Sequence, residues 1–252
     1  MLERVVAAVR ADARFEALLG SGSLAYGGFD EHSDLDFVIV VREADYAAAM
    51  AERHSFAAGL GALLSAFTGE HVGEPRLLIC LFGPPLLHVD LKFVTPADLD
   101  EFYDRPVVLW AGDAAGVERR VAAAKITSGG RPAQWYEDRA WIWLHYAATK
   151  LLRGEHFEAI GGLDFFRDQV LGAMVQRNAR RKPRGVRRVE EIADARALLA
   201  PTVPALDHGS IAEALKRSAA LYVELRRDEP PPSPVAGMPQ ALLDFIDGKP
   251  AA

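Results

Sequence analysis

The sequence predicts an α/β domain of the α+β kind, built on a mixed sheet, over residues 1–112, followed by an all-α helical bundle over residues 113–228. Three observations predict it. Apolar runs of strand length, bounded by Gly, Pro and Asp, fall in the first part of the chain. From Ala114 those runs largely vanish, and apolar residues recur at helical spacing instead. The proline-rich stretch Glu229 to Pro234 then separates the bundle from a tail, so residues 229–252 read as linker and frayed end.

The elements follow in order. Leu2, Val5, Val6 and Val9 have helical spacing and predict a first helix over residues 2–13. Phe15 to Leu19 is a short apolar strand running into Gly20-Ser21-Gly22-Ser23. Ser23 to Tyr26 is one or two helical turns closed by Gly27-Gly28, and Asp30 to Ser33 is a polar loop. Asp36 to Val41 is nearly all apolar, which suits a central strand buried on both faces. Glu43 to Leu64 is alanine-rich and reads as one or two helices. Arg76 to Phe82 and Leu86 to Val94 are strand-like runs joined by Gly83-Pro84-Pro85, a hairpin pattern. Thr95-Pro96 opens a short helix, with Thr95 as cap and Pro96 at its first position. Val107 to Trp110 is a last strand. In the second part, helices are expected over Pro132 to Arg153, His156 to Arg177, Val189 to Leu199, Ile211 to Arg227 and Leu242 to Ile246. The basic run Arg177 to Arg188, including Lys182, Arg184 and Arg187, carries Pro183 and Gly185 and reads as a solvated loop. Trp135, Trp141 and Trp143 are expected in the helical core.

Composition excludes several classes. The chain has 252 residues, half of them hydrophobic and a quarter charged, with net charge −6. That balance argues against a general nucleic-acid binder. Cys80 is the single cysteine, so neither a disulfide framework nor a thiolate metal site is available. The N-terminal pattern is amphipathic and unlike a signal peptide, and no apolar run approaches the roughly 20 residues that span a bilayer. The expectation is a cytoplasmic protein. The sequence gives no oligomeric state.

The chemistry concentrates between Gly22 and Val41. Asp34 and Asp36 alternate with Leu35 and Phe37, so both carboxylates share one face of a strand. Paired hard oxygens suit Mg²⁺, commonly held by one or two carboxylates plus substrate phosphates. Gly22-Ser23 ahead of them makes a tight turn into a short helix. On Leu86 to Val94, His88, Asp90 and Lys92 share one face, with a carboxylate at its centre.

Gly22-Ser23, nine residues, then Ser33-Asp34-Leu35-Asp36, with Asp90 on a later strand, resembles the signature of the DNA polymerase β-type nucleotidyltransferase superfamily. An α/β nucleotidyltransferase domain followed by a helical bundle resembles the antibiotic-type members, the aminoglycoside and lincosamide adenylyltransferases. The resemblance is specific over Gly22 to Asp36 and only architectural beyond residue 114. It implies transfer of a nucleoside monophosphate, AMP from ATP, to a hydroxyl of a small molecule, with two Mg²⁺ ions. Asp34 and Asp36 would bridge the metals and Asp90 would complete one of them. Gly22 would allow close backbone approach, and Ser23 would donate to a phosphate. Lys150, and also Lys92, would contact the triphosphate. The proton of the acceptor hydroxyl would go to Asp90 or to a carboxylate at the start of the long helix, Glu137 or Asp138, with Glu155 a weaker candidate. Protein AMPylation by an antitoxin-like enzyme is one alternative. A catalytically silent nucleotide-binding protein on the same fold is another.

Overall fold

The structure, a computed structural model, describes residues 1–249. It divides at Ser128/Gly129 into two compact units. The first unit starts with α1 (Leu2–Ala11), β1 (Phe15–Gly20), α2 (Ser23–Tyr26), β2 (Leu35–Val41) and α3 (Tyr46–Gly59). It continues with β3 (Leu63–Gly69), β4 (Glu74–Phe82), β5 (Leu87–Val94), β6 (Glu101–Phe102), β7 (Val107–Ala111), α4 (Ala114–Ala123) and β8 (Lys125–Ile126).

Six strands form one mixed sheet in the order β3-β4-β5-β2-β1-β7. Within this sheet only β2 and β5 pair in parallel; the other four pairings are antiparallel. The central position of β2 follows from its sequence. Apart from Asp36, every residue of Leu35–Val41 is buried, so both faces need cover. Leu35, Phe37, Ile39 and Val41 belong to a core with Val5 and Val9 of α1 and Ala49 and Ala57 of α3. Val38 and Val40 belong to a second core with Val94, Leu99 and Val121. On that second face the apolar cover stops short of Asp36 and Asp90, which are only partly buried.

The strand over Leu63–Gly69 is absent from the sequence reading, which carried helix as far as Leu64. Helix α3 ends at Gly59, and the next residues form β3, paired antiparallel to β4. Leu64 and Phe67 on this edge strand stay exposed, so the run has no clean apolar alternation to read. Thr95 caps the 3₁₀ helix Pro96–Asp100 as expected, and Asp98 answers it in a capping box.

The first unit also extends beyond residue 112. Helix α4 places Val121 in the second core of the sheet. Strand β8 pairs in parallel with β6, and the Thr127 and Ser128 amides donate to Phe102 and Tyr103 carbonyls. The change of pattern at Ala114 marks the end of the sheet and not the end of the unit.

The second unit contains α5 (Ala133–Leu152), α6 (His156–Phe166), α7 (Ala173–Asn178), α8 (Ala195–Leu199), α9 (His208–Leu225) and α10 (Gln240–Ile246). Gly154, at φ +77°, ends the α5 turn, and the Glu155 amide bonds back to the Lys150 carbonyl at 2.9 Å. A Cβ on Gly162 would lie 3.0 Å from the Ala147 Cβ, so glycine there lets α5 and α6 approach closely. One π-helical stretch, Arg167–Gly172, joins α6 to α7 where a single helix is expected. The last segment is packed rather than frayed. Leu242 and Ile246 of α10 are buried in the helical core. Gln134 and Ser233 exchange two hydrogen bonds, at 2.9 and 3.1 Å. Among the described residues no helix is long and apolar enough to cross a membrane.

Candidate active site

Strand β1 ends at Gly20, and the chain turns immediately. The Ser21 amide donates to the Asp36 carbonyl at 2.9 Å, tying the turn to β2. Gly22 follows at φ +55°, a left-handed conformation that favours glycine, and α2 begins at Ser23. Space demands glycine as strictly as φ does. A Cβ here would fall 1.8 Å from Asp36 Oδ2, so the carboxylate of Asp36 rests directly on the Gly22 backbone. The Ser23 Oγ beside it is buried, with no hydrogen-bond partner.

The loop before β2 is ordered by its own side chains. Asp30 Oδ1 accepts from the His32 amide at 2.9 Å and from Ser33 Oγ at 3.0 Å. Ser33 Oγ accepts in turn from the Asp30 amide at 2.9 Å. This compact Asx turn delivers Asp34 to the start of β2. Asp34 and Asp36 then share a face by strand alternation.

Strand β5 supplies the opposing carboxylate. In the parallel β2–β5 ladder, Asp36 is the direct partner of Asp90. Paired residues of neighbouring strands point to the same side, with backbones about 4.8 Å apart. His88, two residues before Asp90 on the same face, places Nε2 2.9 Å from Asp90 Oδ1. Burial pushes the Asp90 carboxyl above the usual carboxylate range; His88 opposes that shift and the charge of Asp34 adds to it. The sequence places His88 on this face but gives it no role, because strand alternation shows proximity and not hydrogen bonding.

Gly22, Ser23, Asp36 and Asp90 are therefore assembled as one site on the first unit, with Asp34 at its edge. Among the described residues, however, no three His, Cys, Asp or Glu side chains stand as a group able to hold a metal ion. Three carboxylates sharing metal ions are thus not formed as the side chains stand. One Asp90 oxygen is taken by His88, and Asp36 lies back on Gly22. The donor chemistry still suits Mg²⁺, which needs only one or two carboxylates when phosphate oxygens complete its shell. The orphaned Ser23 hydroxyl offers a donor to a phosphate oxygen beside the Gly22 turn, whose own backbone is covered by the Asp36 carboxylate.

The remaining expected residues are engaged elsewhere. Lys92 shares the Asp90 face, but its Nζ lies 2.7 Å from Glu74 Oε2. Lys150 Nζ lies 2.8 Å from Glu155 Oε2, so both Lys150 and Glu155 are committed to each other. Asp138 is exposed and accepts from Gln134 Nε2 at 2.7 Å. Glu137 is not placed to act as a base. It is buried in the helical unit, where it accepts from Trp141 Nε1, Tyr222 Oη, the Val235 amide and Arg226. Glutamate near a helix start reads as a candidate base; only the fold shows four donors converging on it.

The Glu74 cluster gives a pH-dependent prediction. Hydrogen bonding from Arg76, with Lys92 adding, holds the Glu74 carboxyl down at about 2, against a usual 4.5, while burial opposes the shift. A carboxylate with a lowered folded pKa contributes stability above its unfolded pKa and loses it as pH falls toward the folded one. The stability difference between the native chain and Glu74→Gln, measured by urea unfolding, should be level above pH 5.5, fall from pH 4.5 and vanish only below pH 2. A difference as large at pH 2 as at pH 6 would show that the glutamate acts through packing instead.

No family model matches this chain, and neither does any curated protein. Solved structures do. An aminoglycoside 6-adenyltransferase from Bacillus subtilis is 16% identical, with a TM-score of 0.38, covering 98% of this chain and 94% of that one. A nucleotidyltransferase-like protein from Exiguobacterium sibiricum 255-15 is 9% identical, with a TM-score of 0.37, covering 88% of this chain and 73% of that one. At these identities and TM-scores the likeness carries no argument about fold, substrate or mechanism.

Proposed function

We propose that this chain is a Mg²⁺-dependent nucleotidyltransferase that moves AMP from ATP to a hydroxyl of a small molecule. One observation supports the reading above the others. Asp36 and Asp90 oppose each other in register, while Asp36 rests on a glycine turn that opens on an unpartnered serine hydroxyl. Carboxylates with a hydroxyl donor beside them are what phosphoryl-group chemistry requires.

Asp34 and Asp36, joined by Asp90, are the residues that would hold Mg²⁺, with phosphate oxygens completing its shell. When bound, the metal neutralises charge on the phosphates. The chain's own groups do the rest. Gly22 lets a phosphate approach the backbone only once the Asp36 carboxylate turns away from it, and Ser23 Oγ donates to a phosphate oxygen. Asp90 accepts the proton of the acceptor hydroxyl at a carboxylate oxygen. His88 fixes the orientation of that carboxylate. Lys92 and Lys150 would take triphosphate roles only by leaving Glu74 and Glu155.

Gly22→Ala tests the cradle. The new Cβ would displace the Asp36 carboxylate and hold an alanine at positive φ. The expected cost is about 1–2 kcal/mol of stability and, from displacing a reacting group by about 1 Å, roughly a hundredfold in kcat. Steady-state rates and a thermal melt on the same preparation check both.

Aminoglycosides and lincosamides are the first acceptors to try. Pyrophosphate release from Mg²⁺-ATP is measured with each acceptor and with none. The reading predicts release that depends on one acceptor class. If none of them elicits release and Mg²⁺-ATP does not bind in a calorimetric titration, the reading fails.

A further inference from the structure

The helical unit contains a cavity of about 330 Å³ between α5 and α6. It is lined by Trp143 and Tyr146 of α5 and by Glu158, Gly161, Gly162 and Phe165 of α6. Adjacent glycines create it in two ways. Gly162 faces Ala147 and draws the helices together, whereas a Cβ on Gly161 would meet nothing within 4 Å. The space above Gly161 is therefore open, and nothing in the packing of α6 requires glycine there.

The lining is aromatic with one carboxylate. Trp143 and Phe165 meet edge to face, their ring centroids 5.0 Å apart. Trp135 supports Trp143 from behind at 5.7 Å. Tyr146 Oη donates to Glu158 Oε1 at 2.8 Å, which fixes the ring and the carboxylate together at the rim. Tyr146 and Phe165 are each 49% exposed, so their rings offer surface to a ligand and not only to the core. Lys150 already lies over the Tyr146 ring, at 5.2 Å, but its ammonium is bonded to Glu155. The Lys150 ammonium also acts on Glu158 through charge, but among the described residues Glu158 makes no ion-pair contact.

A volume near 300 Å³ is at the small end for organic ligands. Aromatic faces with a carboxylate at the rim attract a cation through ring quadrupoles and direct charge. We infer that this cavity binds an organic cation, an ammonium group carried on an apolar ring. The inference rests on the helical unit alone and stands apart from the nucleotidyl-transfer reading.

The test uses the full chain and phenethylammonium chloride, followed by calorimetry and by tryptophan fluorescence. Saturable one-to-one binding is expected. Neutral 2-phenylethanol, of nearly the same shape, should bind about tenfold more weakly, because it loses both charge terms. Glu158→Gln keeps an acceptor for Tyr146 and should also weaken the cation about tenfold. Gly161→Leu should fill the space and abolish binding. Leucine favours a helix more than glycine does, so its circular dichroism and melting temperature should be retained. Absence of saturable binding by the native chain would overturn the proposal. Binding unchanged by Gly161→Leu, or equal for the alcohol and the ammonium, would overturn it too.

Discussion

Asp36→Asn should lose nucleotidyl transfer by roughly a thousandfold or more in kcat/KM, with the fold intact. Asparagine matches aspartate in shape, so it can occupy the place above Gly22 without displacing the turn. The Ser21 amide bonds to the main-chain carbonyl of residue 36, which the substitution keeps. What disappears is the negative charge and one of the two carboxylate oxygens. Loss of a single electrostatic donor typically costs about 10²–10³ in rate. Loss of a metal-holding carboxylate should cost at least that, since charge neutralisation is most of what such a site supplies. A melting temperature close to that of the native chain would show that the loss is chemical. Activity within tenfold of the native rate would remove Asp36 from the mechanism, and with it the reading of the β2–β5 pair.

Glu137→Ala should be the most destabilising single change, and it should act on the helical unit. The side chain is fully buried, and Arg226 Nη1 lies 2.7 Å from its Oε2. Trp141 Nε1 and the Val235 amide donate to Oε1 at 2.9 and 2.8 Å, and Tyr222 Oη donates to Oε2 at 2.5 Å. Together these donors hold the Glu137 carboxyl below its usual range even though burial alone would raise it. The same contact, after burial, pushes the Tyr222 hydroxyl well above its usual pKa. Alanine would strand a guanidinium and three further donors, at about 3–5 kcal/mol for breaking a buried ion pair. Set against a typical total of about 5–15 kcal/mol, that is a large share of the stability. At about 2–4 °C per kcal/mol for a chain of this size, the melting temperature should fall by about 10 °C. Glu137→Leu combined with Arg226→Met should recover only part of the loss, because it removes the stranded guanidinium but leaves the Trp141, Tyr222 and Val235 donors without an acceptor. A base would behave differently: Glu137→Ala would keep its melting temperature and lose only rate.

The contrast between these two residues shows what the sequence could reveal. Asp36 was legible because strand alternation and a fixed spacing from Gly22 both operate over short stretches of chain. The same holds for β1, α2, β2 and the β4–β5 hairpin, each of which has its own local pattern. Glu137 was misread because its partners come from α9 and from Val235, roughly 90 residues away in the chain. The ion pairs of Lys92 and Lys150 with Glu74 and Glu155 were hidden for a similar reason. An exposed lysine and one held by a neighbouring glutamate look identical in sequence. Strand β3 and the reach of the first unit to Ser128 were hidden because both depend on pairing. β3 is an edge strand defined by β4, and β8 is two residues defined by β6. His88 falls between the two cases, since its place on the Asp90 face was readable and its 2.9 Å contact was not.

The central claim is that the α-phosphorus of ATP is the atom attacked. It is tested most directly by running ATP labelled at the α-phosphate beside ATP labelled at the γ-phosphate, with the responsive acceptor and Mg²⁺. The account predicts that only the α-label enters the acceptor, that the γ-label leaves as pyrophosphate, and that Asp36→Asn transfers neither. Entry of the γ-label would make the chain a phosphotransferase, and equal transfer by Asp36→Asn would place the chemistry away from the β2–β5 carboxylates; either result contradicts the account.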